Sequence, residues 1–355
     1  MNRKISVLVP IALLLVPLIM SGITIEVEAQ VHPVHNVAVS VASLAGIVEE
    51  VGGSLINTSI LMEQEADPHA FSIEPQILAI ADAADLLVFT GHFHWEEELA
   101  IQTSTPFITF HNESAWESYE DFGAAFSPMP GGVEVASEQE HEHDGNPHAY
   151  WLLPKNAVAI ANATRAALTT LDATLTSAWE ANFATFVEKM DSLQLLISDL
   201  NEVHEFSQLR AICVAPAEAY VAEAFGIQCD AVLQIEDITL SGAKLLEVQS
   251  AIRNGSVQLI LGSDVAQFQA GGEFAYQIQS DYGGTLIWWK TVFYSEADYF
   301  SMMTFNLGAL VSGIEGRSGG SINQTLNIGL LALTIVIGFI ALLEAVLLIQ
   351  RARAE

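Results

Sequence analysis

The chain has 355 residues, with 12 Lys and Arg against 43 Asp and Glu and a formal net charge of -31 at pH 7. That balance excludes nucleic acid as a partner, because phosphate binding needs Lys and Arg. With 51 % hydrophobic residues, the chain is long and apolar enough for two lobes with their own cores.

Arg3 and Lys4 precede an apolar stretch from Ile5 to Met20, and Val27-Glu28-Ala29 follows. A charged start, an apolar run and small residues before a cut predict a signal peptide over residues 1–29. Beyond it, short β-rich runs alternate with helical patterns. Strands are predicted at Asn36–Val41, Ile56–Leu61, Leu86–Thr90 and Phe107–Phe110. Helices are predicted over Ala42–Val51, ended by Gly52-Gly53, and over Pro75–Ala84, where proline fits the first turn. This order implies a parallel sheet covered by helices. Residues Gly123–Asn146 break the pattern as a polar, acidic, His-containing insertion.

A long helix follows. Trp179, Phe183, Phe186, Met190, Leu193, Leu196, Leu200 and Val203 recur at three- and four-residue steps with no Pro or Gly between them, one apolar face held over many turns. A second alternating series then runs through strands Arg210–Ala215, Ala231–Ile235, Val257–Leu261 and Thr285–Trp289. Its helices are Ala217–Phe225, Ser241–Arg253, Phe274–Tyr282 and Ala297–Gly313. The predicted fold class is α/β: two lobes, each a parallel sheet flanked by helices, joined by one long helix, with a C-terminal transmembrane helix added. The predicted divisions are an N-terminal metal-binding lobe over 30–173, the linking helix over 174–206 and a C-terminal lobe over 207–314. A linker over 315–326, a membrane-spanning helix over 327–350 and a tail over 351–355 complete them. Ile328–Ile349 is apolar except for Thr334 and Glu344, about the 20 residues that span a bilayer. Arg351 and Arg353 follow, which would leave the tail in the cytoplasm and the body outside as a single-pass cell-membrane protein. Five N-x-[ST] sites (Asn57, Asn112, Asn162, Asn254, Asn323) agree with export. Cys213 and Cys229 form neither a C-x-x-C pair nor a zinc-finger pattern, and are expected to be two separate buried thiols.

In two-lobed α/β proteins ligands bind at the carboxyl ends of the strands. Two Pro-His pairs end loops there, Asp67-Pro68-His69 and Asn146-Pro147-His148, each before a helix opened by a proline. Their imidazoles are candidate metal ligands. His92, His94, Glu218 and Asp264 also fall near strand ends and read more simply as solvated loop residues. The run His141-Glu142-His143-Asp144 in the insertion reads equally as a loose metal collector or as a polar loop. No H-E-x-x-H occurs, which argues against an enzyme.

Val48–Gly53, Asp67-Pro68-His69, Ala84-Asp85-Leu86 with Gly91, and Asn146-Pro147-His148 with Trp151 and Pro154 resemble, in order, motifs of the solute-binding proteins of zinc and manganese ABC importers. So do Tyr220–Gly226 and Tyr299 with Met302, Met303 and Asn306. The resemblance covers residues 33 to 314. It implies a non-enzymatic extracytoplasmic receptor that captures a divalent ion, Zn²⁺ before Mn²⁺, and delivers it to an ABC permease. The alternatives are a surface metal-binding adhesin and a secreted metallohydrolase. It also implies His69 and His148 as the first two metal ligands. The usual third, a His or Glu, is replaced here by Ala215, and Glu296 is the candidate for the fourth. With ligands on both lobes, metal binding is expected to close the cleft.

Overall fold

A computed structural model describes residues 34–62, 68–132, 145–235, 238–239, 242–293 and 298–318. The first sheet comprises β1 (His35–Val39), β2 (Ile56–Ile60), β3 (Leu86–Val88), β4 (Phe107–Thr109) and β5 (Glu117–Ser118). Its order is β2-β1-β3-β4-β5 with every pair parallel. Val37, Ala38 and Val39 face Leu86, Leu87 and Val88 across the central pair, and all six are fully buried. Continuous apolar runs of this kind are what a parallel sheet covered on both faces requires. From β1 the chain moves outward to β2 and then crosses back to β3. The carboxyl ends of β1 and β3 therefore flank the point where strand order reverses, the position at which such sheets bind ligands.

The covering helices are α1 (Ala42–Gly52), α2 (Pro75–Ala83), α3 (His94–Gln102) and α4 (Pro154–Leu171). Proline stands at the start of α2 and of α4, where its missing N–H costs nothing. α3 and β5 go beyond the sequence reading. The run His94-Trp95-Glu96-Glu97-Glu98 has no apolar period, and β5 is only two residues long.

The linking helix is α5 (Thr176–His204), 29 residues closed by Glu205 in the left-handed region at φ +54°. Its buried stripe is Trp179, Phe186, Met190, Leu193 and Ile197. Leu196 and Val203, expected on that face, are exposed instead. A stripe stepping by three and four drifts around a helix of 3.6 residues per turn, so its late members rotate out of contact. Phe186 is fully buried and meets the rings of Tyr299 and Phe300 at 6.2 and 5.1 Å.

The second sheet is built from β6 (Arg210–Cys213) and β7 (Gln228–Val232), then β10 (Leu259–Ser263) and β11 (Thr285–Trp289). Between these pairs lies a two-stranded antiparallel hairpin of β8 (Gln234–Ile235) and β9 (Ile238–Thr239). The sheet order is β11-β10-β6-β7, again all parallel. The helices are α6 (Glu218–Ala224), α7 (Gly242–Arg253), α8 (Ala270–Tyr282) and α9 (Tyr299–Ser318). The strand predicted at Ala231–Ile235 is thus divided between the end of β7 and β8.

The expected membrane anchor is not supported, and four expectations are corrected with it: a transmembrane helix in the fold class, a family member with a C-terminal anchor, a partner bilayer held through that helix, and a single-pass localisation. No helix among the described residues is long and apolar enough to cross a membrane. The last of them, α9, is committed to the second lobe, where it packs on β11 and α5 and buries Met302, Met303, Leu307 and Leu310. The segment 327–350, like the signal peptide, lies outside the described residues.

Replacing Phe186 by Ala removes a buried ring where α5 meets α9. We expect a loss of about 3–5 kcal/mol in unfolding free energy, measured by urea denaturation.

Candidate metal centre

Three imidazoles converge at the carboxyl edge of the first sheet. His69 lies in the loop after β2, His92 in the turn after β3, and His148 in the turn before α4. Their ring centroids are 5.0 Å (His69 to His92), 5.6 Å (His69 to His148) and 4.3 Å (His92 to His148) apart. One nitrogen from each lies within 4.8 Å of the others. An ion held at about 2.1 Å by each nitrogen needs the nitrogens about 3.4 Å apart, so the rings have only a short way to draw in.

His92 is placed by its turn. Gly91 takes φ +76°, and a Cβ there would lie 2.6 Å from the Thr109 hydroxyl and 3.0 Å from the Phe110 backbone, so glycine is required on two counts. Glu96, buried at the start of α3, gathers the turn. Its carboxylate accepts from the backbone N–H groups of Thr90 (2.8 Å), Gly91 (2.8 Å), His92 (3.2 Å) and Phe93 (3.3 Å), and from the Thr90 hydroxyl. Burial pushes the Glu96 pKa up, and the hydrogen bonds pull against it.

His148 is placed by Asn146. The Asn146 side-chain oxygen accepts from the His148 backbone N–H (3.1 Å) and stands 3.0 Å from Nδ1, while its amide donates to the Pro216 carbonyl (2.9 Å). With the amide nitrogen committed to Pro216, the oxygen faces the ring, so Nδ1 is the protonated nitrogen. Nε2 is left as the lone-pair donor, and it is buried with no hydrogen-bond partner among the described residues. Burial, with His69 adding to it, pushes the His148 pKa down to about 3, which keeps the ring neutral. The following residue, Ala149, is held at φ +58°, a strained state for a residue with a Cβ. Three aromatic hydrogen bonds hold the turn that comes next: Tyr150 to the Thr90 carbonyl, Trp151 to the Ser43 hydroxyl, and the Tyr299 hydroxyl to the Leu152 carbonyl.

The imidazoles border a cavity of about 60 Å³. The second lobe faces it with Ala215, Pro216, Ala217, Val265, Gln269 and Val292, so among the described residues no charged group of that lobe lines it. His69, His92 and His148 all belong to the first lobe, and Glu296, the ligand expected from the second, lies outside the described residues. In the sequence His92 reads more simply as a solvated loop residue. The signal that picks it out is its position, two residues past the end of a parallel strand and directly after a glycine. His94 stays out of the cluster, exposed at the start of α3 with Glu97 and Glu98 at 3.9 and 3.4 Å. Asp264 is a brace, its carboxylate accepting from the backbone and hydroxyl of Thr291 and from the backbone of Val292 and Phe293. Glu296, His141 and His143 lie outside the described residues.

Glu218 opens α6, fully buried, and accepts from the Ala215 N–H at 2.8 Å. Burial pushes its pKa up to about 8. Hydrogen bonds from Ser263 and Ala215 oppose the rise, and the charge of Asp264 adds to it. It is therefore a largely protonated buried acid at neutral pH, and it does not line the cavity.

Two parallel-sheet lobes joined by a helix, with imidazoles gathered at one sheet's carboxyl edge, define a metal-binding carrier of the two-lobed kind. The chain belongs to the ZnuA family, zinc-uptake complex component A, periplasmic, whose family model matches residues 37–313. Such proteins carry a cargo rather than transform it, in line with the expectation that the chain is not an enzyme. Among curated proteins it is similar to the zinc-binding lipoprotein AdcA of Streptococcus pneumoniae (strain ATCC BAA-255 / R6), 22 % identical over 231 residues. The match takes in 63 % of this chain and 44 % of that relative, so the chain spans less than half the relative's length. Among solved structures, a zinc-bound deletion mutant of ZnuA superposes with a TM-score of 0.62 at 20 % identity, covering 79 % of this chain and 96 % of that one. A manganese-bound periplasmic metal-binding protein from Candidatus Liberibacter asiaticus gives 0.59 at 18 %, covering 79 % and 99 %. These likenesses carry the fold, and the three histidines make the site one for a divalent metal ion.

Glu218 supplies a pH signature. Its folded pKa is raised from 4.5, so its contribution to stability is fully present below about pH 4.5 and is lost as pH rises toward 8. Glu218→Gln keeps the neutral form. We expect its stability advantage over the parent to grow from pH 5 to pH 9, reaching on the order of 3–5 kcal/mol, as read from denaturation at each pH.

Proposed function

We propose that the protein is an extracytoplasmic receptor that captures a divalent transition-metal ion, zinc first, and delivers it to an ABC permease. The observation that carries this reading is the convergence of His69, His92 and His148 at the carboxyl edge of the first sheet. Neutral imidazole nitrogens suit Zn²⁺ with a fourth position open. Mn²⁺ favours oxygen-rich shells, so it is the weaker cargo for this donor set. Glu296 is proposed, on sequence grounds, as the carboxylate that closes the fourth position from the second lobe. Delivery to a permease is the reading the periplasmic family description supports.

Metal analysis and calorimetry of the purified chain, made without a His tag, test the proposal. One zinc per chain is expected, bound more tightly than manganese. His92→Ala and His148→Ala should each weaken zinc by more than about 100-fold, with His94→Ala and His141→Ala within a few-fold of the parent. A His92→Ala protein that binds zinc as the parent does would remove the three-imidazole site. Hydrolytic turnover lost with His69→Ala would favour the metallohydrolase alternative.

A further inference from the structure

Among the described residues the second lobe sets no charged group on the imidazole cavity, yet it grips the turn that carries His148. The described residues on either side of the insertion meet there. The Asn146 N–H donates to the Ser127 carbonyl at 2.8 Å, and the two residues form an isolated antiparallel bridge. Gly145, at φ +139°, lies so close that a Cβ on it would stand 2.8 Å from the Phe126 Cβ. The first lobe holds one arm of this bridge. Asn156 on α4 exchanges two hydrogen bonds of 3.0 Å with the Ala125 backbone, and Phe126 stacks on Phe110 at 4.0 Å. The second lobe holds the other side. Met129 is buried against Cys213, Val232 and Ile235, and Tyr220 of α6 reaches the bridge itself. Its hydroxyl accepts from the Ser127 N–H at 2.9 Å and donates to the Asn146 carbonyl. Burial pushes the Tyr220 pKa up, so the hydroxyl stays neutral and gives and takes a hydrogen bond at once.

We propose that Tyr220 is a positioning residue for the metal ligand His148, and that through it the second lobe sets how tightly the ion is held. This rests on the carrier reading given above. Asn146 is held twice from the second lobe: Tyr220 donates to its backbone carbonyl, and the Pro216 carbonyl takes its side-chain amide at 2.9 Å. The Asn146 side-chain oxygen then meets the His148 backbone N–H and Nδ1, which leaves Nε2 for the ion. Without the Tyr220 hydroxyl, the Ser127 N–H loses its acceptor and the Asn146 carbonyl loses a donor. The turn gains freedom, and Nδ1 loses a fixed partner. Parting the lobes breaks the same bonds, so the hold on the ion is coupled to lobe docking, whatever ligand the second lobe adds.

The test uses the full chain with Tyr220→Phe, which removes one oxygen and keeps the buried ring. In the metal-free protein, NMR of the imidazole nitrogens should show His148 as a single Nδ1–H tautomer in the parent and as a mixture of tautomers in the variant. Zinc affinity, read by competition with a chromogenic chelator, should fall about 10-fold. In a His148→Ala background the same substitution should cause no further fall, because the route to the ion is gone. A His148 tautomer unchanged in Tyr220→Phe would overturn the proposal, as would unchanged zinc affinity or an equal fall with and without His148. The tautomer is read without metal, so a parent chain that binds no zinc sinks the carrier reading while the hold of Tyr220 on His148 is still decided.

Discussion

One buried carboxylate organises the site. Glu96 takes no part in binding a ligand itself, yet the Thr90–Phe93 turn exists in its observed form because four backbone N–H groups and a hydroxyl find their acceptor there. An isolated acid at that depth would be costly. Surrounded by donors it becomes the cheapest way to end a buried parallel strand, since a strand end left without partners would carry several orphaned amides. His92 rides on this arrangement, and its position is a by-product of satisfying the backbone.

The second constraint is Asn146, whose side chain touches both lobes. One end fixes the tautomer of His148, and the other holds the Pro216 carbonyl at the front of the second lobe. A single amide thus sets which nitrogen faces the cavity and ties the imidazole-bearing loop to the opposing wall. That wall is small and apolar at Ala215, where the family resemblance would place an imidazole or a carboxylate. His92, arriving from the first sheet, supplies the third nitrogen from the other side. The second lobe then acts as a cover, kept in shape by Asp264 gathering residues 291–293.

Much of the architecture could be read from the chain. Alternating apolar runs, glycine stops and prolines at helix starts gave β1 to β4, α1, α2 and the second series with small shifts, because each rests on local chemistry that tertiary contacts reinforce. α3 and β5 were not legible. α3 is held by the Glu96 network and the burial of Trp95 and Leu99 rather than by a periodic face, and β5 is a two-residue edge pairing. His69 and His148 were visible from their Pro-His loops. His92 was not, because its approach depends on the tertiary packing that forces Gly91 to φ +76°. The C-terminal apolar run carries a strong compositional signal, but composition measures affinity for hydrocarbon and says nothing of tertiary placement.

Imidazole nitrogens bind a metal only as neutral donors, so they contribute no countercharge to a cation. The attraction that draws a cation in from a distance must come from the remaining acidic groups of a chain carrying 31 net negative charges. Such a field reaches about one Debye length and fades with ionic strength, whereas coordination bonds at the cluster are short-ranged and indifferent to it. Arrival and retention are therefore governed by different parts of the molecule: salinity sets how often an ion is found, and imidazole geometry sets how long it stays.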